Sequence, residues 1–128
     1  MALPDTLRMK VPEGRDGVCR FDLTVEEIHH NVEGMLHGGV ISTMIDIAIA
    51  RAIRSLVPAD IEIMTIALNV NFFGTLDSGV VEVTGRTVFS GKRLIHGEAE
   101  VRVGERLLAR GNGTWYARPR RPAAAPAR

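Results

Sequence analysis

Residues 31–58 read NVEGMLHGGVISTMIDIAIARAIRSLVP, and the fold turns on this stretch. From about Gly39 to Ser55 nothing breaks a helix, which at 1.5 Å per residue would be roughly 25 Å long; Val57-Pro58 stops it. At about 100° per residue, Val40, Ile41, Met44, Ile45, Ile47, Ala48, Ile49, Ala50 and Ile53 surround the axis instead of forming a stripe. A helix apolar on all sides has to be covered on all sides.

The flanking sequence supplies the cover. Val18–Val25 forms a first strand, and His29–His37 is irregular. After the helix, Ile61–Phe73 alternates Ile66, Leu68, Val70 and Phe72 against Thr65, Ala67, Asn69 and Asn71, the two-residue period of a half-buried strand. This places Thr65 on one polar face with Asn69 and Asn71. Strands follow at Val80–Phe89, Leu94–Val103 and Leu107–Ala117, separated by turns at Leu76–Gly79, Ser90–Lys92 and Gly104-Glu105. Tight turns make the neighbours antiparallel. The expected fold is therefore α+β, one antiparallel sheet around one helix. Leu107, Ala109, Gly111, Gly113 and Trp115 share a face of the last strand, and its small members let the helix come close. One sheet covers only part of the helix, so a second subunit is expected over the rest.

Bulk properties agree. A chain of 128 residues, 45% hydrophobic and 24% charged, fits one domain that buries roughly two-thirds of its unfolded-chain surface. The formal net charge is +1, and without the tail arginines Arg118, Arg120, Arg121 and Arg128 it is −3. A mildly acidic body argues against nucleic-acid binding. From Arg118 on, RPRRPAAAPAR reads as a disordered tail after a domain of residues 1–117. The lone cysteine, Cys19, excludes an internal disulfide and a cysteine metal cluster. Met1–Lys10 has no signal-peptide run, and Asp46, Arg51 and Arg54 make Val40–Leu56 too polar to span a membrane. A reducing, cytoplasmic setting is expected.

Asp46 is the outlier: a carboxylate in mid-helix with no cation at the i±3 or i±4 positions. Such a group persists by hydrogen bonding, pairing or a raised pKa. Upstream, Gly34, His37 and Gly38-Gly39 lead into the helix. The free N–H groups and dipole of a helix start stabilise negative charge, and glycines admit a ligand close to the backbone. That is what the oxyanion of an acyl transfer needs. His29, His30, His37 and His96 lack zinc-ligand spacing, and no G-x-S-x-G elbow is present; neither a metal nor another cofactor is called for.

The pattern Asn31-x-x-Gly34-x-x-His37-Gly38-Gly39, with Asp46 two turns on, resembles the signature of hotdog-fold acyl-CoA thioesterases. The similarity is to the phenylacetyl-CoA type of the 4-hydroxybenzoyl-CoA thioesterase superfamily and runs to about Ala117. The resemblance implies that the Gly38 N–H polarises the thioester carbonyl, with Gly39 beside it. Asn31 would assist at the carbonyl or hold the loop, and His37 would orient the site. Asp46 would be nucleophile or general base, with Thr65 positioning the water. Arg86, Lys92 and Arg93 would follow the coenzyme A arm. It also implies a homodimer, as a dimer of dimers, with Asp46 of one subunit facing His37 and Gly38 of the other. The expected reaction is hydrolysis of an aryl- or medium-chain acyl-CoA; coenzyme A enters as part of the substrate. A non-catalytic acyl-CoA-binding protein is the alternative, an interaction protein using the arginine tail a third, and a hotdog dehydratase a distant fourth.

Overall fold

Alternation and helix periodicity resolve into five strands and one long helix in the computed structural model, which describes residues 1–122. In chain order the elements are α1 (Leu3–Thr6), β1 (Val18–Val25), a 3₁₀ turn (Glu27–His29), α2 (Gly38–Arg54), β2 (Ile61–Phe72), β3 (Gly79–Ser90), β4 (Leu94–Val103) and β5 (Arg106–Pro119). The strands form one antiparallel sheet in the order β1-β3-β4-β5-β2, curved around α2. The hotdog expectation is met.

The sheet's inner face is set by period two. β1 buries Cys19, Phe21, Leu23 and Val25, β3 buries Val81 and Val83, and β4 buries Ile95, Ala99 and Val101. Against them α2 buries Ala48 and the larger Ile41, Met44, Ile45, Ile49 and Ile53, the large side chains worth about 1.5–3 kcal/mol each when fully buried. Helix and sheet touch closely because glycines line the contact. A Cβ on Gly85 would lie 2.6 Å from the carbonyl carbon of Ala48, and one on Gly111 would lie 2.8 Å from the Ile45 side chain. Gly111 was expected in this role. Gly113 is not: its Cβ would meet the Ala67 carbonyl and the Trp115 ring instead.

The remaining face of α2, with Thr43, Asp46, Ile47 and Ala50, is only half-buried in one chain. Beside it lies β2, an edge strand that among the described residues pairs only with β5. The half-buried alternation expected of β2 is absent in the single chain, where Ile66, Leu68 and Phe72 are all exposed.

Two further readings are corrected. Ile66 is the extra residue of a bulge: Thr65 stands opposite Trp115, but Ala67 stands opposite Thr114. A bulge shifts the period-two phase by one residue. Thr65 therefore lies on the core face with Leu68, Val70 and Phe72, not on the outer face with Asn69 and Asn71. The ordered chain also runs past Ala117. Arg118 and Pro119 belong to β5, where Pro119 pairs with Ile61 at the strand end. The backbone N–H of Arg120 then donates to the Asp60 carbonyl (2.7 Å), and that of Arg121 to Glu62 Oε1 (2.8 Å). Residues 123–128 of the tail lie outside the described residues.

Candidate active site

The loop before α2 is built by Asn31. Its Oδ1 accepts the backbone N–H groups of Glu33 (2.9 Å) and Met35 (3.1 Å), and its own N–H donates to the Met35 carbonyl (2.7 Å). Gly34 carries the positive φ of 75° that closes this turn. Holding the loop is thus the function of Asn31 that the geometry displays. The loop delivers His37 to the N-cap of α2, where Nδ1 accepts the N–H of Gly39 at 2.7 Å. An accepting Nδ1 places the ring proton on Nε2.

This cap decides which backbone donor is free. The N–H groups of Val40 and Ile41 turn back to the His37 carbonyl, and that of Gly39 is taken by the His37 ring. The Gly38 N–H has no partner among the described residues. A Cβ at Gly39 would crowd His37 Nδ1 at 3.0 Å, so its glycine admits the capping ring. At Gly38 the neighbour is Phe72, whose ring carbons would lie 3.4 Å from a Cβ.

Asp46 projects from the half-buried face of α2, two turns beyond Gly38. Its Oδ1 accepts a 2.7 Å hydrogen bond from Thr65 Oγ1, a contact the bulge at Ile66 makes possible. Its second oxygen carries no hydrogen bond among the described residues. Asp46 also opens into a cavity of about 270 Å³. The two halves of the site stay apart within one chain: eight residues of helix set Gly38 and Asp46 about 12 Å apart along the axis.

The expected basic cluster divides. Lys92 and Arg93 border a cavity of about 530 Å³, with Tyr116, Arg118 and Ile61, past the C-terminal end of α2. Arg86 is elsewhere, facing Glu98 at 3.7 Å and lining a separate cleft with Arg110 and Glu100. The β3–β4 ladder pairs Arg86 with Glu98, which draws it away from the turn. Phe72, Leu68, Tyr116 and Arg118 had no distinguishing signal in the sequence; their places follow from β2 and β5 running side by side. Among the described residues no group of three or more His, Cys, Asp or Glu is gathered as a metal site would require.

The site thus combines a sheet curled around one helix with a hydroxyl-held carboxylate in mid-helix and, at the helix start, an N–H that is unpaired among the described residues. The sequence matches the thioesterase superfamily over residues 33–110, and the chain belongs to that family of thioester hydrolases. It is 30% identical over 95 residues to PA0474, a candidate esterase of Pseudomonas aeruginosa, covering 73% of this chain and 71% of that protein. Among solved structures, the conserved protein PA5202 of P. aeruginosa superposes with a TM-score of 0.87 at 27% identity, covering 91% of this chain and 94% of that one. The thioesterase HI1161 of Haemophilus influenzae shares the fold, with a TM-score of 0.86 at 15% identity over 92% and 83% of the two chains.

Proposed function

We propose that the protein hydrolyses acyl-coenzyme A thioesters and that its catalytic unit is a homodimer. The observation that carries this reading is the split site. The Gly38 N–H and the second oxygen of Asp46 both lack a partner among the described residues, yet at about 12 Å along one helix they cannot serve one carbonyl. A second copy supplies the missing half. Each exposed β2 edge offers unpaired backbone groups and the apolar Ile66, Leu68 and Phe72. Two such edges, paired antiparallel about Leu68 and Asn69, would bring Thr65 and Asp46 of one chain toward Phe72 and Gly38 of the other. Pairing of such dimers into a tetramer is what the resemblance adds.

Water, placed by Thr65 and Asp46, gives its proton to Asp46 as its oxygen attacks the thioester carbonyl carbon. The Gly38 N–H, reinforced by the α2 dipole, stabilises the oxyanion. The tetrahedral intermediate then collapses, the C–S bond breaks, and the departing sulfur of coenzyme A takes the proton back from Asp46, which leaves the free acid, the thiol and an ionised Asp46. His37 keeps the helix start ordered and presents its Nε2–H beside it, while Asn31 holds the loop. Lys92 and Arg93, which form no ion pair among the described residues, are the better candidates for the coenzyme A phosphates than Arg86.

No helix among the described residues is long and apolar enough to cross a membrane. The test is free-thiol release from aryl- and fatty-acyl-CoAs by wild type and Asp46→Ala. Turnover that falls by orders of magnitude in the folded variant supports the reading. Tight acyl-CoA binding without turnover would replace it with a binding protein in which Asp46 is structural.

A further inference from the structure

The N-terminal segment is held in place although its helix buries nothing. α1 spans four residues, has no buried side chain and no side-chain cap. Its anchors all lie just after it. Met9 is only 4% exposed. The Leu7 carbonyl accepts a 2.7 Å hydrogen bond from Nε2 of the fully buried His29, whose Nδ1 accepts the Glu26 N–H at 2.9 Å. Arg8 pairs with Glu26 at 2.7 Å and has a φ of 57°, a left-handed backbone that a non-glycine residue adopts only at some cost. These contacts fold the segment back against α2. There Leu3 and Pro4 join Ile47 and Leu68 in lining the 270 Å³ cavity that Asp46 opens into.

Within one chain, before the second copy adds its own walls, the cavity of about 270 Å³ lies just below the roughly 300–1,000 Å³ that accommodates drug-sized ligands. It is too small for a whole acyl-CoA, and most of its side chains are apolar. It suits a small apolar group attached to a carbonyl at Asp46. We propose that Leu3 and Pro4 form the closing wall of the acyl pocket and restrict this enzyme to a short acyl chain or a single ring. The inference rests on the reading of Asp46 as the catalytic carboxylate. It assigns a specificity function to a segment whose helix buries none of its own side chains.

The test compares wild type, Leu3→Ala and Leu3→Trp on straight-chain acyl-CoAs of increasing length and on phenylacetyl-CoA. It measures both kcat/KM and equilibrium binding of the same ligands to each protein in an Asp46→Asn background. Because Leu3 is 55% exposed, all three proteins should unfold at nearly the same temperature. One methylene in an apolar pocket discriminates by about 10- to 200-fold. The long-to-short preference should therefore rise about tenfold in Leu3→Ala and fall about tenfold in Leu3→Trp. An unchanged order of preference in all three overturns the proposal. Should wild type hydrolyse nothing, the reading of Asp46 fails, and the binding series alone judges the wall. No length-dependent shift there also overturns it.

Discussion

Replacing Thr65 by valine removes one hydroxyl and leaves the shape of the side chain nearly unchanged. Among the described residues the hydroxyl is the only group seen holding Asp46, through the 2.7 Å bond to Oδ1. A hydrogen bond to a charged acceptor contributes about 1.5–3 kcal/mol. If the bond places Asp46 and its water in the transition state, that range converts to about a 10- to 150-fold loss of kcat. The effect on folding should be much smaller, within about 0.5 kcal/mol, because Thr65 is exposed in the single chain. The assay is steady-state thiol release with kcat and KM separated, beside thermal unfolding of the same samples. Thr65→Val should lose kcat with little change in KM, and Thr65→Ser should recover most of it. A kcat that survives valine, or fails to recover with serine, would refute a positioning function for this bond.

Other outcomes follow from the same geometry. Gly85→Ala places a methyl group against the Ala48 backbone, which cannot move aside as a side-chain tip can; chemical denaturation should show a loss of about 1–3 kcal/mol. His37→Ala removes the cap on Gly39 and should cost about 0.5–2 kcal/mol in the same assay, with His37→Asn restoring part of it. Hydrogen bonding to Arg110 is the main cause holding the Glu100 carboxyl below the usual carboxylate range, with Arg102 adding to it. A depressed folded-state pKa stabilises above the ordinary glutamate range, and that stabilisation is lost as pH falls through the folded value. Glu100→Gln should accordingly flatten the acid limb of a stability-against-pH curve. Burial pushes the Cys19 thiol up despite the nearby Arg51, so a thiol reagent should label the folded protein far more slowly than the denatured one.

The architecture was legible wherever periodicity alone decides it. Val18–Val25 and Leu94–Val103 coincide with the observed strands, and the helix differs by one residue at each end. Features that depend on contacts between distant residues were not legible. The bulge at Ile66 has no local signal, since neither Gly nor Pro marks it, yet it turns Thr65 from the outer face toward Asp46. The His37 cap is equally hidden, because nothing in a histidine before two glycines announces that its Nδ1 accepts the Gly39 N–H. α1 is too short to carry a periodicity, so nothing in Met1–Lys10 announces that Leu3 and Pro4 reach the Asp46 cavity. Arg86, Lys92 and Arg93 are close in sequence, but the β3–β4 ladder sends them to different clefts.

The most direct test of a two-chain active site is complementation between two inactive variants. Asp46→Asn removes the base. Gly38→Pro removes the N–H at a first helical position that tolerates proline, after a His37 already extended at ψ 134°. Each variant alone should release almost no thiol from acyl-CoA. Mixed by co-expression, half of the dimers are heterodimers with one intact site of two, so activity should return to about a quarter of wild type. A mixture that forms heterodimers and stays inactive, beside an active wild type, would place both groups in a single-chain site and contradict the account.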